Sequence, residues 1–521
     1  MHIHPSPQQA RELLERGEVV VLSSAFIADG LTPTAALARL GPQPLGRFLL
    51  ESAEQGERVG RYSFVGAGVR ELVAFDGTHG FAFGWEPSSG GQVVERARWP
   101  QRDILAELRA RLSDLRCPAQ PDLPPFFGGA VGFLGYDVVR TIEHLPDGRP
   151  DPVGSWTAGF LVADVVVAFD HFRRLAYLLA LCRRQEGETA RQAYEQAAGR
   201  LEEVRWRLAR SPAGELEPPL LEAPQWATPV PAPPEDPHFV EAVRRAKEYI
   251  RAGDIFQVVL SRHTRVPCPQ PPLAVYRRLR AINPSPYMFY LELADPRPGG
   301  AALHLVGASP EVMVRLQGRR ACLRPIAGTR PRGRSEAEEQ ALARQLAEDP
   351  KELAEHMMLV DLGRNDLGRV CRFGTVRVTQ LLTVERYSHV MHLVSEVEGE
   401  LAEGQDAFDL MRAVFPAGTV TGAPKVRAME IIDELEQEGR GFYAGAVGYF
   451  AASGDADSCI TIRSLAICRG VAHARAGAGI VADSDPVREL WETHHKVSAV
   501  LSALACQGQP VAAAAGGEGR A

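Results

Sequence analysis

Apolar and polar positions change period several times along the chain. Leu175–Cys182 ("LAYLLALC") is a short, nearly unbroken apolar run and predicts a buried strand. Gln192–Leu208 scatters apolar residues at helical spacing among charges and predicts an exposed helix, while Asp236–Arg251 has a cleaner amphipathic pattern. The stretches 126–140 ("FFGGAVGFLGYDVVR"), 159–170 ("GFLVADVVVAFD") and 440–451 ("RGFYAGAVGYFA") mix glycine with apolar and aromatic residues and read as strands. Glycine inside a strand weakens it unless backbones approach closely or the strand coils strongly. Strands and helices come in uneven groups, not in βαβα alternation. The expected fold is therefore α+β, a large sandwich of antiparallel sheets flanked by helices.

One break divides the pattern. Ser211–Pro237 contains nine prolines and predicts an extended linker. It separates an N-terminal region, 1–210, from a second region, 238–508. The small-residue stretch 509–521 reads as a disordered tail.

Composition narrows the classes. A chain of 521 residues with net charge −7 and 45% hydrophobic residues is long enough for a large core. Mild acidity without a Lys/Arg block argues against a nucleic-acid surface. The start, "MHIHPSPQQARELLERGE", lacks the basic and apolar segments of a signal peptide, and no apolar run reaches membrane-spanning length. Eight scattered cysteines without a CxxC pair suggest reduced thiols and a cytoplasmic protein.

Candidate chemistry begins with two ExxE pairs. Glu352 and Glu355 share a helix face in "AEDPKELAEH", with Asp349 as the expected N-cap and Pro350 at the first helical position. Glu489 and Glu492 repeat the arrangement after Asp485 and Pro486. In that helix Leu490, Val497, Leu501 and Leu504 form an apolar stripe, away from Glu489, Glu492 and Lys496. Four carboxylates could be solvated helix surface, a metal site or an acid/base pair. Neither Glu352 nor Glu355 has the histidine three residues on that a di-iron site uses. An oxygen-only set suits a hard cation such as Mg²⁺, which also takes substrate oxygens.

The intervening stretches fit an anionic substrate. "CLRPIAGTRPRG" places Arg324, Arg330 and Arg332 around a small-residue turn, and "SCITIRSL" puts Arg463 in a strand otherwise free of charge. "FPAGTVTGAPK" is a Gly/Thr loop with Pro424 opening a helix, and "ARAGAGIVADSDP" can present backbone N–H groups from Gly477 to Gly479.

The motifs "PIAGT", "AEHMMLVDLGRND", "FPAGTVTGAPK", "TIRSL" and "GAGIVADSDP" resemble the chorismate-utilising enzymes, and "FLLES" with "GRYSFVG" resembles their anthranilate synthase branch. The resemblance implies Mg²⁺ on Glu355 and Glu492, with Glu352 and Glu489 beside them. It implies chorismate contacts from Gly328, Thr329, Tyr443, Arg463, Gly477, Ala478, Gly479 and Lys496. Glu311 ("GASPEVMVR") is the expected general acid, with His392 and Thr419 in catalytic roles and His389 ranked below His392. Gln257 stands where water-using relatives have a lysine base, and Ala327 where aminodeoxychorismate synthases have a nucleophilic lysine. Both positions favour ammonia as the nucleophile. No G-x-C-x-G motif supplies that ammonia, so the resemblance implies a glutamine amidotransferase subunit, commonly in a heterotetramer. It also implies a feedback site for L-tryptophan, built from Glu51 and Ser52 of "FLLES" and Pro286, Tyr287 and Met288 of "NPSPYMFYL".

Overall fold

The computed structural model describes residues 1–52, 60–86, 91–100, 103–146, 148–210, 235–386 and 390–504. Most of the proline-rich stretch, the C-terminal tail and His389 lie outside these residues.

Two long strands, Tyr62–Phe75 and Ala158–Asp170, pair antiparallel along nearly their whole length. Register shifts between Gly66 and Glu71 interrupt the ladder, and such bulges bend strands. The pair is shared by two runs of strands. Its end near Tyr62 and Asp170 continues outward to Leu175–Cys182 and Val20–Ile27 on one side. On the other side it continues to Gly46–Glu51, Tyr287–Leu293, Leu303–Ser309, Ser464–Cys468, Val471–Ile480 and Gln257–Pro267. Its end near Phe75 and Ala158 continues through Gly129–Leu134, Ala446–Ala451, Ala456–Ile460, Val312–Gln317, Arg320–Leu323 and Val390–Glu400. Every named strand pairing among the described residues is antiparallel, which agrees with the α+β expectation.

The N-terminal region does not keep its strands to itself. Gly46–Glu51 pairs with Tyr287–Leu293, and Gly129–Leu134 with Ala446–Ala451, so both regions build both runs of sheet. Alternation along Tyr287–Leu293 shows how the layers form. Phe289, Leu291 and Leu293 enter the main core with Phe48, Phe126 and Phe133. Met288 and Tyr290 point the other way, into a second core with Leu37, Leu201 and Tyr276 from the helices Pro33–Leu40, Ala190–Ala209 and Pro272–Ile282. A third core packs Pro237–Ala252 and Lys425–Leu435 against Val258 and Ala478.

Local expectations largely match. The strand Leu175–Cys182 and the helices Ala190–Ala209 and Pro237–Ala252 form where predicted, the last two capped by Thr189 and Asp236, but Ala190–Ala209 is not simply exposed: Tyr194, Leu201 and Val204 are buried. Two predicted strands are shorter than their apolar stretches. Gly129–Leu134 gives way to a 3-10 turn at Tyr136–Thr141, and residues 440–445 form turns before Ala446–Ala451. Among the described residues no helix is long and apolar enough to cross a membrane.

Candidate active site

Two capped helices carry the ExxE pairs. Asp349 accepts hydrogen bonds from the N–H groups of Lys351 and Glu352 and starts Pro350–Gly368; Asp485 accepts from Val487 and Arg488 and starts Pro486–Leu501. Leu490 and Val497 of the second helix are buried, which turns Glu492 and Lys496 toward the site. Burial pushes the Glu355 carboxyl above its usual range; Lys351 opposes this, while Glu352, Asp349 and Glu492 add to it. Burial also raises Glu489, with Ser484 opposing and Glu492 adding. The two helices therefore hold their carboxylates in one another's field. Arg330 bonds Glu352 at 3.0 Å, Lys351 stands 3.8 Å from Glu355, and Lys496 bonds Glu492 at 2.6 Å. Glu355 and Glu489, raised first by burial and then by neighbouring carboxylates, are donors that an oxygen-liganded cation would relieve. A tighter group of potential ligand atoms is found at Cys322, Glu396 and Glu398, where Arg320 already pairs with Glu398.

The expected acid lies on the turn between Leu303–Ser309 and Val312–Gln317. Its backbone is fixed: Ile460 N–H donates to the Glu311 carbonyl at 3.0 Å, and Glu311 N–H donates to Ser309 Oγ at 3.3 Å. Burial pushes the Glu311 carboxyl up to about 7, with Thr419 and Lys496 pulling weakly the other way. The Thr419 hydroxyl is buried and has no other partner among the described residues. A carboxyl of this kind is half protonated at neutral pH and suits general-acid work.

His392 lies on Val390–Glu400, and its Nδ1 donates to the Gly328 carbonyl at 2.8 Å. Burial pulls the imidazole below its ordinary pKa, the Gly328 carbonyl raises it, and Arg463 lowers it further. Gly328 adopts φ +65, and a Cβ there would come within 3.0 Å of Glu352 Oε2. Only glycine brings this carbonyl to the histidine without strain or displacement of the carboxylate. Thr329 follows on the strand Ile326–Pro331.

Arg463 corrects the sequence reading. It is not within a strand but in the bend between Ala456–Ile460 and Ser464–Cys468, with φ +52. A left-handed arginine is uncommon. Burial holds its pKa below the usual value, Tyr443 and Glu492 counter this, and its Nη1 donates to the Lys496 carbonyl at 3.4 Å. Lys496 Nζ in turn donates to the Gly477 carbonyl at 2.9 Å. A Cβ at Gly477 would stand 2.7 Å from the Tyr443 hydroxyl, whose pKa burial raises to about 12. The Gln257 amide occupies the corresponding space over Gly479, while Ala478 faces the third core.

Sequence reasoning missed what holds this cradle. Buried Glu436 accepts from Ser261 N–H at 2.8 Å, from Arg440 at 2.6 Å and from Arg475 at 3.1 Å. Burial alone would raise Glu436, but the two arginines outweigh it and hold the pKa low. Arg440 also donates to the carbonyls of Val420 and Val259, tying the Thr419 loop to the Gln257 strand. Only the i, i+4 spacing of Glu436 and Arg440 hinted at this pair. Sequence reading also passed over Arg488 and Trp491, which with Arg463, Glu492, His495 and Lys496 line an open cavity of about 480 Å³. Their signal is helical spacing on the Glu492 face.

The expected inhibitor residues meet across one strand pair, with Glu51 opposite Met288. Glu51 is already engaged, by the Tyr276 hydroxyl at 2.5 Å and Arg280 at 3.2 Å. Burial nevertheless raises its pKa. Tyr287 lies at the main core, donating to Asp457 at 2.8 Å and accepting from Arg315 at 3.0 Å. Pro286 immediately precedes this strand, and the buried Ser52 hydroxyl has no partner among the described residues.

Residues 47–502 match the family model described as chorismate binding enzyme. Anthranilate synthase component 1 of Streptomyces coelicolor is 45% identical over 96% of this chain and 92% of its own length. That of Thermus thermophilus is 46% identical over 92% and 96%. The crystal structure of anthranilate synthase component I from Streptococcus pneumoniae superposes with TM-score 0.69 and 33% identity, covering 91% of this chain and 98% of that one. The menaquinone-specific isochorismate synthase of Escherichia coli shares the fold, with TM-score 0.66 at 20% identity over 96% and 99%. The chain thus belongs to the chorismate binding enzyme family, among the anthranilate synthase component 1 proteins.

Proposed function

We propose that this protein is the synthase subunit that converts chorismate and ammonia to anthranilate and pyruvate, a lyase reaction opening tryptophan biosynthesis. The observation that carries the reading is Glu311, a buried carboxyl with pKa near 7 beside Thr419 and Lys496. Ammonia adds at C2 of chorismate, the ring double bonds shift, and the C4 hydroxyl leaves as water with the proton of Glu311. Arg463 and Lys496 hold the carboxylates, the guanidinium suiting a bidentate grip. The C3–O bond then breaks. His392, with its lone pair on Nε2, takes the C2 proton, the departing enolate takes a proton on carbon to become pyruvate, and the proton shed by the new C–N ammonium restores Glu311. Mg²⁺ held by Glu355 and Glu492, with Glu352 and Glu489 supporting it, would withdraw charge through the ring carboxylate.

Neutral Gln257 cannot activate water by taking its proton, which argues against hydroxylating chemistry. Ala327 cannot form the covalent intermediate open to an aminodeoxychorismate synthase. A non-catalytic sensor of aromatic metabolites is the remaining alternative, and it has no need of a protonated Glu311. Incubating the purified chain with chorismate, Mg²⁺ and an ammonium salt should yield anthranilate fluorescence. Isochorismate, aminodeoxychorismate or no product would overturn the reading.

Three further parts belong to this proposal. A glutamine amidotransferase subunit, component II, delivers ammonia, in a heterotetramer. L-tryptophan inhibits through Glu51, Ser52 and the Pro286–Met288 segment. The protein works in the cytoplasm.

A further inference from the structure

The cavity is lined by more residues than those assigned to chorismate. Its outer wall is one face of the helix Pro486–Leu501, where Arg488, Trp491 and His495 recur at helical spacing. The indole of Trp491 is 37% exposed, although the same helix buries Leu490 and Val497. The rings of Trp491 and His495 lie 5.5 Å apart at an interplanar angle of 40°, forming an aromatic ledge beside the opening. Arg488 stands one turn before Trp491, and among the described residues its guanidinium makes no ion pair. Three cations, Arg463, Arg488 and Lys496, face one carboxylate in the cavity, Glu492, which Lys496 already engages at 2.6 Å. A flat apolar surface next to an available guanidinium selects a flat anion: the ring stacks and the carboxylate pairs.

We propose that Arg488, Trp491 and His495 form an outer subsite for planar aryl carboxylates, which adjoins at Arg463 the inner site around Glu311 and His392. That the reaction's own product is such a compound rests on the function proposed above; the subsite's chemistry does not. Anthranilate leaving the inner site would pause on this ledge. Chorismate, whose ring is not aromatic, stacks less well and passes inward.

Calorimetric titration of the purified chain with 2-aminobenzoate and with cyclohexanecarboxylate tests the subsite. The aryl carboxylate should bind about fivefold or more tightly than the saturated one. Trp491→Ala and Arg488→Gln should each weaken 2-aminobenzoate about fivefold or more, Trp491→Phe should restore most of the loss, and Arg463→Gln should leave this binding in place. Equal binding of both acids, unchanged binding by Trp491→Ala and Arg488→Gln, or loss of all binding in Arg463→Gln would overturn the subsite. Absence of anthranilate formation from chorismate would remove the functional reading instead and leave the titration result standing.

Discussion

The Nδ1 of His392 donates to the carbonyl oxygen of Gly328 at 2.8 Å. A carbonyl only accepts, so in the neutral ring the proton sits on Nδ1 and the lone pair on Nε2. Burial lowers the pKa of the ring, the Gly328 carbonyl opposes this and Arg463 adds to the lowering, which favours the neutral form. His392→Gln should therefore lower kcat by about 10²–10⁴ with little change in KM for chorismate. A variant within a few-fold of the parent kcat would remove His392 from the proton transfers.

Glu311 should set the alkaline limb of the proposed reaction. Its pKa is raised from 4.5 to about 7. At constant free ammonia, kcat/KM for chorismate should fall about tenfold per pH unit above this value, because the free enzyme loses its acid. The same shift bears on stability. The folded protein holds this proton more tightly than the unfolded chain, so the contribution is complete below pH 4.5 and is lost as pH rises through about 7. Glu311→Gln cannot ionise, so its Tm relative to the parent should become more favourable from pH 5 to pH 8. A flat rate profile to pH 9 together with a pH-independent Tm difference would refute the assignment.

Glu355 and Glu492 repel one another across two helices. Removing either charge should ease that repulsion while weakening the cation site. Glu355→Gln and Glu492→Gln should keep or raise Tm in chelator and lower kcat beyond the about 10–100-fold typical of outer-sphere metal partners. Near-normal kcat at saturating Mg²⁺ in either variant would show that the ExxE pairs are surface charge.

Ser52 presents a buried hydroxyl that has no partner among the described residues, next to Glu51 and close to the strand of Met288. Ser52→Phe should fill the space and leave an active enzyme insensitive to tryptophan. In the parent, tryptophan and chorismate should weaken each other's binding by one common factor, as linkage demands. Unchanged inhibition of Ser52→Phe would dismiss this pocket and leave the catalytic reading intact.

The isolated chain should use ammonium and not glutamine, since no G-x-C-x-G nucleophile is present. Adding the amidotransferase subunit should restore glutamine use. Robust glutamine-dependent turnover by the single chain would contradict a two-subunit enzyme.

The sequence by itself determined what is local and periodic. Asp349–Pro350 and Asp485–Pro486 announce helix starts because cap geometry depends on neighbouring residues, and the ExxE spacing places both carboxylates on one face. The motif resemblance named Glu311, His392 and Arg463 before any contact was known. Tertiary structure decided how these pieces meet. That Glu355 senses Glu492, 137 positions later, depends on two helices converging through packing. The pKa of Glu311 is set by burial, and burial is a property of the whole fold. The left-handed bend at Arg463 was hidden because "SCITIRSL" has strand-like composition, and only pairing partners reveal where a ladder stops. The Glu436–Arg440–Arg475 network was hidden for a related reason. Buried charges look like surface charges in a sequence, and only the surrounding atoms tell them apart.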